Sequence, residues 1–323
     1  MTTFINHLGT YVPEARVDNA RFSELTGQDA DWFVARTGIH SRSRASEDET
    51  TTSMGLTAVR DLLARGGEDA LEGVDLIIGA SYTPDDTLST MPAVVQRTFG
   101  IEDARVYFLS TACSSFISGL ELAKLMLGAG EARRALIVVS EHNSFYSDDA
   151  DRMSGHLWGD GAAAVVVSAD PENALFSVDY VRSRGVACAG KGPEAIALRP
   201  SEGASGLVMA EGRDVFAQAC VYLVEEVNHG LEQLGLQVED IDWLVPHQAN
   251  LRILRRVAQT LGLPEERCVV TVNELGNTGC ASIPISIDRV LGDIKDGDCI
   301  AATAFGGGYS CGVAMLTRIA PQG

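Results

Sequence analysis

Cys113 lies in Ser110-Thr111-Ala112-Cys113-Ser114-Ser115-Phe116, between an apolar strand-like run and an apolar helix-like run. Far downstream stand His247, in Val245-Pro246-His247-Gln248-Ala249-Asn250, and Asn277, in Leu275-Gly276-Asn277-Thr278-Gly279. A thiol on a strand-to-helix turn, with two side chains able to donate to an oxyanion, is the minimum set for thioester chemistry. The sulfur carries an acyl group, and the donors hold the charge that develops on oxygen. The helix dipole and free N–H groups at such a turn are expected to favour the thiolate below the ordinary cysteine pKa of about 8.5. A further element is Phe305-Gly306-Gly307-Gly308-Tyr309-Ser310, where three glycines after a strand let backbone N–H groups approach a ligand, as an oxyanion hole requires. Taken singly, these residues read as a small buried hydrophobe, a core histidine, a turn asparagine and a β-turn. Taken together, they point to one site.

The elements that must position them alternate apolar, β-branched runs with helix-like stretches, the pattern of an α/β protein with buried sheets. Strands are predicted at Asp75–Ser81, Arg105–Leu109, Ala135–Ser140, Ala162–Ser168, Trp243–Pro246, Val269–Val272, Cys299–Ala304 and Val313–Arg318. They form two similar series. In the first, a strand from Asp75 is followed by another strand, Cys113, a helix rich in small residues and two more strands. In the second, a strand from Asp242 is followed by another strand, Asn277, a second small-residue helix start and two more strands. Asp75 precedes Cys113 by 38 positions and Asp242 precedes Asn277 by 35. The same order at nearly the same spacing indicates an internal duplication with a boundary near Asp170-Pro171. The halves are then 1–170, with the nucleophile, and 171–323, with the histidine and asparagine. Cys113 and Asn277 would occupy equivalent turns, brought together by pseudo-twofold pairing. The Gly-rich stretch Arg182–Arg213 has weak periodicity and reads as a lid or wall of a binding site.

Composition narrows the class. The 323 residues are 46% hydrophobic, enough for a large core, and carry a formal charge of -19, which argues against non-specific binding to nucleic acid or anionic membrane. No apolar run is long enough to span a bilayer, and Met1–Tyr11 has no basic segment leading into an apolar one, so neither a membrane span nor a secretory signal is expected. The seven cysteines form no CxxC pair; reduced thiols in a cytoplasmic protein and no metal site are the expectation. Against the acidic whole, Arg252, Arg255 and Arg256 are spaced to share a helix face a few residues from His247, either as a solvated face or as a dock for phosphates or an acidic carrier protein.

These motifs, with Trp32-Phe33-Val34-Ala35-Arg36-Thr37-Gly38-Ile39, Gly159-Asp160-Gly161-Ala162 and Phe305-Gly306-Gly307-Gly308, resemble the β-ketoacyl-acyl carrier protein synthase III family of thiolase-like condensing enzymes. The resemblance spans the chain and implies a five-layer αβαβα fold of two duplicated halves, usually a homodimer. It implies that Cys113 accepts an acyl group from coenzyme A, with the N–H groups of Cys113 and Gly307 as oxyanion hole. His247 and Asn277 would then stabilise the enolate formed when a malonyl or β-ketoacyl thioester, on coenzyme A or on acyl carrier protein, condenses with the acyl-cysteine. Coenzyme A thioesters are implied as substrates, with no bound cofactor or metal. Trp32, Arg36, Arg152 and Asn250 match positions around the coenzyme A nucleotide, Phe216 a wall of the pantetheine tunnel, and Leu88 the gate of acyl length. The pattern is departed from at Ala-Cys-Ser-Ser, where initiating enzymes carry Ala-Cys-Ala-Gly; at Cys311, where Trp is common; and at Gln259 and Thr260, where lysines often stand. These departures lean towards a specialised fatty-acid-derived or polyketide pathway. The alternative is an acyltransferase that passes the cysteine-bound acyl group to a hydroxyl or amine; that transfer is better served by a carboxylate beside the histidine than by an amide.

Overall fold

The computed structural model describes residues 2–199 and 206–320. The first part of the chain forms β1 (Phe4–Tyr11), β2 (Arg16–Asp18), α1 (Asn19–Thr26), α2 (Ala30–Thr37), β3 (Ser41–Ser43), α3 (Thr51–Gly66), β4 (Leu76–Ala80), α4 (Met91–Thr98), β5 (Arg105–Leu109), α5 (Ser115–Gly128), β6 (Arg134–Glu141), α6 (Asn143–Tyr146) and β7 (Gly161–Ser168). The rest forms β8 (Phe176–Gly185), β9 (Ala197–Leu198), β10 (Leu207–Val208), α7 (Gly212–Leu234), β11 (Trp243–Pro246), α8 (Leu251–Leu261), α9 (Val272–Leu275), α10 (Ser282–Val290), β12 (Cys299–Gly306) and β13 (Ser310–Arg318).

Nine strands run in the order β11-β12-β13-β8-β1-β7-β6-β4-β5. The order mirrors itself about the short β1–β8 contact, where Phe4 faces Ser177 and Ile5 faces Phe176. On one side, β4 is parallel to β6, which is antiparallel to β7. On the other, β11 is parallel to β12, which is antiparallel to β13. The repeat extends to single hydrogen bonds. Asp75 accepts from the N–H groups of Arg133 and Arg134 at the start of β6, and Asp242 accepts from Cys299 N–H at the start of β12.

Side chains alternate across each strand, so every buried strand feeds two layers. Ile77, Leu136 and Val166 pack on the outer helices α3 and α4, through Met54, Leu62 and Val95. Ile78, Ile137 and Val165 face inward onto α5 and α10, which also receive Ile300, Ala302 and Leu316 from the second strand set. The opposite face of that set, through Leu244, Val313 and Met315, is covered by α7 and α8. The layers are therefore α3/α4, sheet, α5/α10, sheet, α7/α8, the five-layer αβαβα arrangement. Burial on both faces explains near-continuous apolar runs such as Gly161–Ser168, which is buried throughout.

Three sequence expectations are corrected here. Val269–Val272 is not a strand. Only a single bridge, Cys268 to Leu244, survives there, because the Gln248 amide takes the ladder positions: its Nε2 donates to Val269 O and its Oε1 accepts from the N–H groups of Thr271 and Val272. Strands β1 and β8 escaped notice because their polar residues have local partners that break the apolar pattern. Asn6 donates to the carbonyls of Asp170 and Glu172, and Ser183 and Arg184 of β8 bond Ser118 and Glu226. Finally, the stretch Arg182–Arg213 begins as strand β8 and ends as the first turn of α7; between them lie β9 and β10, with residues 200–205 outside the described residues.

Candidate active site

Cys113 sits on the turn between β5 and α5, directly before the first residues of that helix. Ala112 holds φ +50°, a left-handed conformation that a residue with a Cβ adopts only when its surroundings impose it. Serines impose it. Ser115 Oγ donates to Ala112 O at 2.6 Å and accepts from Thr111 N–H at 2.9 Å. Ser310 Oγ, from the second half, donates to Thr111 O at 2.7 Å and meets Ser114 Oγ at 2.7 Å. Of the Ser114-Ser115 pair, Ser115 thus holds the turn itself and Ser114 fastens it to β13. Gly306 closes the same seam: a Cβ there would stand 2.7 Å from Thr111 O and 2.9 Å from Cys113 N.

His247 and Asn277 line one narrow cavity with Cys113 and Gly307, about 40 Å³ in volume. His247 follows β11, and its N–H extends the β12 ladder by donating to Thr303 O at 2.8 Å. Its Nδ1 lies 2.8 Å from Ser282 Oγ at the start of α10. That hydroxyl also accepts from Gln248 N–H, and the ring is in hydrogen-bond reach of the Gly279 backbone as well, so two neighbours hold the imidazole in place. Burial lowers the His247 pKa to about 4, so the ring is neutral near pH 7 and keeps one N–H to donate. Asn277 is oriented by equivalent logic. Gly279 N–H donates to Oδ1 at 3.0 Å, leaving Nδ2 as the end able to donate to a ligand. The Asn277 backbone is pinned by Leu157 O and Gly159 N–H.

The expected activation of Cys113 by its helix terminus does not prevail. Burial, then the charge of Glu141, pushes the thiol up to about 12. Opposing this are the Tyr82 hydroxyl and the backbone of Gly307 and Cys113.

The remaining expectations divide. Trp32 and Arg36 come together on α2, the guanidinium 4.2 Å from the ring centroid, and Asn250 Nδ2 donates to Arg36 O at 3.3 Å while Oδ1 caps α8. Arg152 is exposed on the turn leading to His156, whose ring packs 5.7 Å from that of Trp32. Ile196 and Met209, from the Gly-rich stretch, form a wall of the cavity, as expected of that segment. Phe216 does not line it. Its α7 neighbours Val215 and Ala219 do, while Phe216 turns towards α8, with Arg252 5.6 Å above its ring. Arg255 leaves the arginine cluster to pair with Glu265 at 3.4 Å; Arg252 and Arg256 face α7. Leu88 is 93% exposed, because Asp86 Oδ1 caps the N–H groups of Leu88 and Ser89 in an outward turn, and it does not line this chain's cavity. Ser282, Glu141 and Tyr82 had no sequence signal beyond being polar residues in apolar surroundings.

Comparison with known proteins converges on one family. Residues 108–184 match the model described as 3-oxoacyl-[acyl-carrier-protein] synthase III, and residues 231–318 match its C-terminal model. A Sphingopyxis alaskensis protein named β-ketoacyl-[acyl-carrier-protein] synthase III is 38% identical over 318 residues, covering 95% of this chain and 96% of that one. The crystal structure of the Thermus thermophilus protein of that name superposes with a TM-score of 0.90 at 36% identity, covering 97% of this chain and 98% of that one. The priming β-ketosynthase from the R1128 polyketide biosynthetic pathway gives 0.88 at 29% identity, covering 99% and 97%.

Proposed function

The chain belongs to the 3-oxoacyl-[acyl-carrier-protein] synthase III family and is a condensing enzyme, and on that premise we propose which residues carry the reaction. In the first half-reaction, Cys113 sulfur attacks the carbonyl of an acyl-coenzyme A. The tetrahedral oxyanion is held by Cys113 N–H and Gly307 N–H, and the coenzyme A thiolate leaves with the proton that the thiol gives up. In the second, a malonyl thioester occupies the other side of the cavity. His247 Nε2–H and Asn277 Nδ2–H donate to its thioester oxygen as it becomes an enolate on loss of carbon dioxide. The enolate carbon attacks the acyl-cysteine, the carbon–sulfur bond breaks, and the electron pair returns to Cys113.

The observation that carries this reading is the orientation of the two donors. Ser282 lies 2.8 Å from Nδ1 and would keep the proton on Nε2 by donating to it, and Gly279 N–H holds the asparagine oxygen, in the cavity that holds the thiol. Transfer to a hydroxyl or amine is disfavoured on the same ground, since the partner of His247 is a serine and not a carboxylate. Trp32 and Arg36, with Arg152, are proposed to hold the nucleotide of coenzyme A, with Asn250 holding the two elements at that spot. Arg252 and Arg256 are proposed to receive phosphates or an acidic carrier. The division at 170/171 belongs to this reading and is supported by the mirrored strand order. A homodimer is supported by the unpaired edge strand β5, with Tyr107 exposed, and by Leu88, which on an outward turn can gate only a partner's cavity. Among the described residues no helix is long and apolar enough to cross a membrane, consistent with a proposed cytoplasmic location.

The test separates the half-reactions. His247→Ala and Asn277→Ala should retain acylation of Cys113, read by intact mass, and lose β-ketoacyl product by about 100-fold or more. Loss of acylation in both variants, with their folding intact, would assign these residues to the first step instead.

A further inference from the structure

Arg42, in the middle of β3, is fully buried, and among the described residues its guanidinium is bonded to neutral oxygens only. Nε donates to His156 O at 2.6 Å and Nη1 to Asn19 Oδ1 at 2.6 Å, while the guanidinium carbon lies 4.5 Å from the centroid of the Phe22 ring. An apolar residue would cost less to bury than a cation without a carboxylate partner. What arginine supplies is a long stem ending in a rigid fork that bonds two segments at once.

The two ends of this side chain touch the two segments that hold Asn277. The stem lies under Gly276, the residue before Asn277: a Cβ there would stand 2.7 Å from Arg42 Cγ. The head grips His156 O, and the next residue, Leu157, supplies the carbonyl that accepts from Asn277 N–H at 2.8 Å. Gly159 N–H donates to Asn277 O at 3.0 Å, so Trp158 and Asn277 form a parallel bridge. The neighbours of Arg42 on β3 tie down the same two segments. Ser41 Oγ donates to Glu274 O at 2.7 Å, and Ser43 Oγ donates to Asp160 O at 2.6 Å. The other members of the site are held from elsewhere. The Cys113 turn is fastened by Ser115 and Ser310, and His247 by Ser282 and Thr303.

We propose that Arg42 is a positioning residue for condensation: stem and head together set the Gly276 backbone and the 156–157 segment so that the Asn277 amide meets the thioester oxygen as it becomes an enolate. Arg42 touches no substrate and acts only through Asn277, so its effect belongs to the second half-reaction. This rests on the reading of Asn277 as an enolate donor.

Two rates separate the roles: acylation of Cys113 by acyl-coenzyme A, read by intact mass, and β-ketoacyl product formed when the preloaded acyl-enzyme meets malonyl-acyl carrier protein. Both should be measured in the wild type, Arg42→Lys, Arg42→Met, Asn277→Ala and the double variant Arg42→Met with Asn277→Ala. Arg42→Met should slow condensation by about tenfold to 100-fold, as for a displaced reacting group, with acylation within about twofold of the wild type. Arg42→Lys keeps the stem and a donor for His156 O, and should recover most of that loss. In the Asn277→Ala background, Arg42→Met should cost nothing further, because two residues acting through one amide are not additive. Additive losses, or an equal loss in both half-reactions, would overturn the role of Arg42 and leave Asn277 as read. Wild-type condensation by Asn277→Ala would instead overturn the reading of Asn277 beneath it. Should Arg42→Met fail to fold, Asn19→Ala carries the same comparison, since it frees one arm of the guanidinium from α1. A loss confined to condensation there supports the proposal, and an equal loss in both steps overturns it.

Discussion

His247 and Asn277 become donors through neighbours that never touch a substrate. A buried imidazole with its pKa lowered to about 4 is a hydrogen-bond donor only on the nitrogen that keeps the proton, and a Ser282 hydroxyl donating to Nδ1 would keep that proton on Nε2. Ser282→Ala should therefore leave acylation of Cys113 unchanged and slow condensation by about tenfold, the size of effect expected for losing one orienting hydrogen bond. An equal loss in both half-reactions would show that Ser282 supports the whole site and not the tautomer. The same pKa places the acid limb of His247 near pH 4. Across pH 6–8 its donor form stays constant, and decarboxylation should show no step from its titration.

At the scale of elements, the site depends on two turns meeting across the duplication. The β5–α5 turn carries Cys113 and a left-handed Ala112; β12–β13 supplies Gly306 beneath it and Ser310 beside it. Gly306→Ala would force a Cβ to within 2.7 Å of Thr111 O, so the cysteine turn must shift. Acylation should fall by about 100-fold, a loss typical of misplaced reacting groups, while the circular dichroism spectrum stays native-like; normal acylation would show the seam to be looser than described. The turns at Cys113 and the glycine triplet were legible because each follows an apolar run of strand length; Asn277 instead follows the short helix α9, so the expected strand-to-helix turn there is not found. What escaped the sequence has physical causes. Gln248 reads as a polar loop residue, yet its side chain replaces a strand's hydrogen bonds at 269–272. Phe216 lies one position from Val215 on α7 and stacks under Arg252, and the cavity around Cys113 does not reach it. Leu88 stands on an outward turn held by Asp86, a placement that its apolar type does not signal.

At the scale of the molecule, the five layers bury charge at their centre. Glu141 is wholly inaccessible, and burial raises its pKa to about 7 from the ordinary 4.5 despite its hydrogen bonds. Because the folded value is the higher one, folding favours the protonated carboxyl. Its contribution is fully present below pH 4.5 and is lost as pH rises to about 7, by on the order of 3 kcal/mol. His247 and His156, both lowered to about 4, act in the opposite sense over pH 6.5 to 4. The stability difference between Glu141→Gln and the wild type isolates the carboxyl: denaturant unfolding at pH 5 and pH 8 should show the variant gaining relative to the wild type at the higher pH. A difference independent of pH would mean that Glu141 ionises normally. The same buried charge raises the Cys113 thiol, so nucleophile and core are electrostatically one unit.

The account stands or falls on Cys113 as the acyl carrier. The direct measurement is the intact mass of the protein after mixing with acyl-coenzyme A thioesters of graded chain length, alongside Cys113→Ser. It predicts a mass gain equal to one acyl group with at least one donor, absent in the variant. A gain of the same size in Cys113→Ser would contradict it.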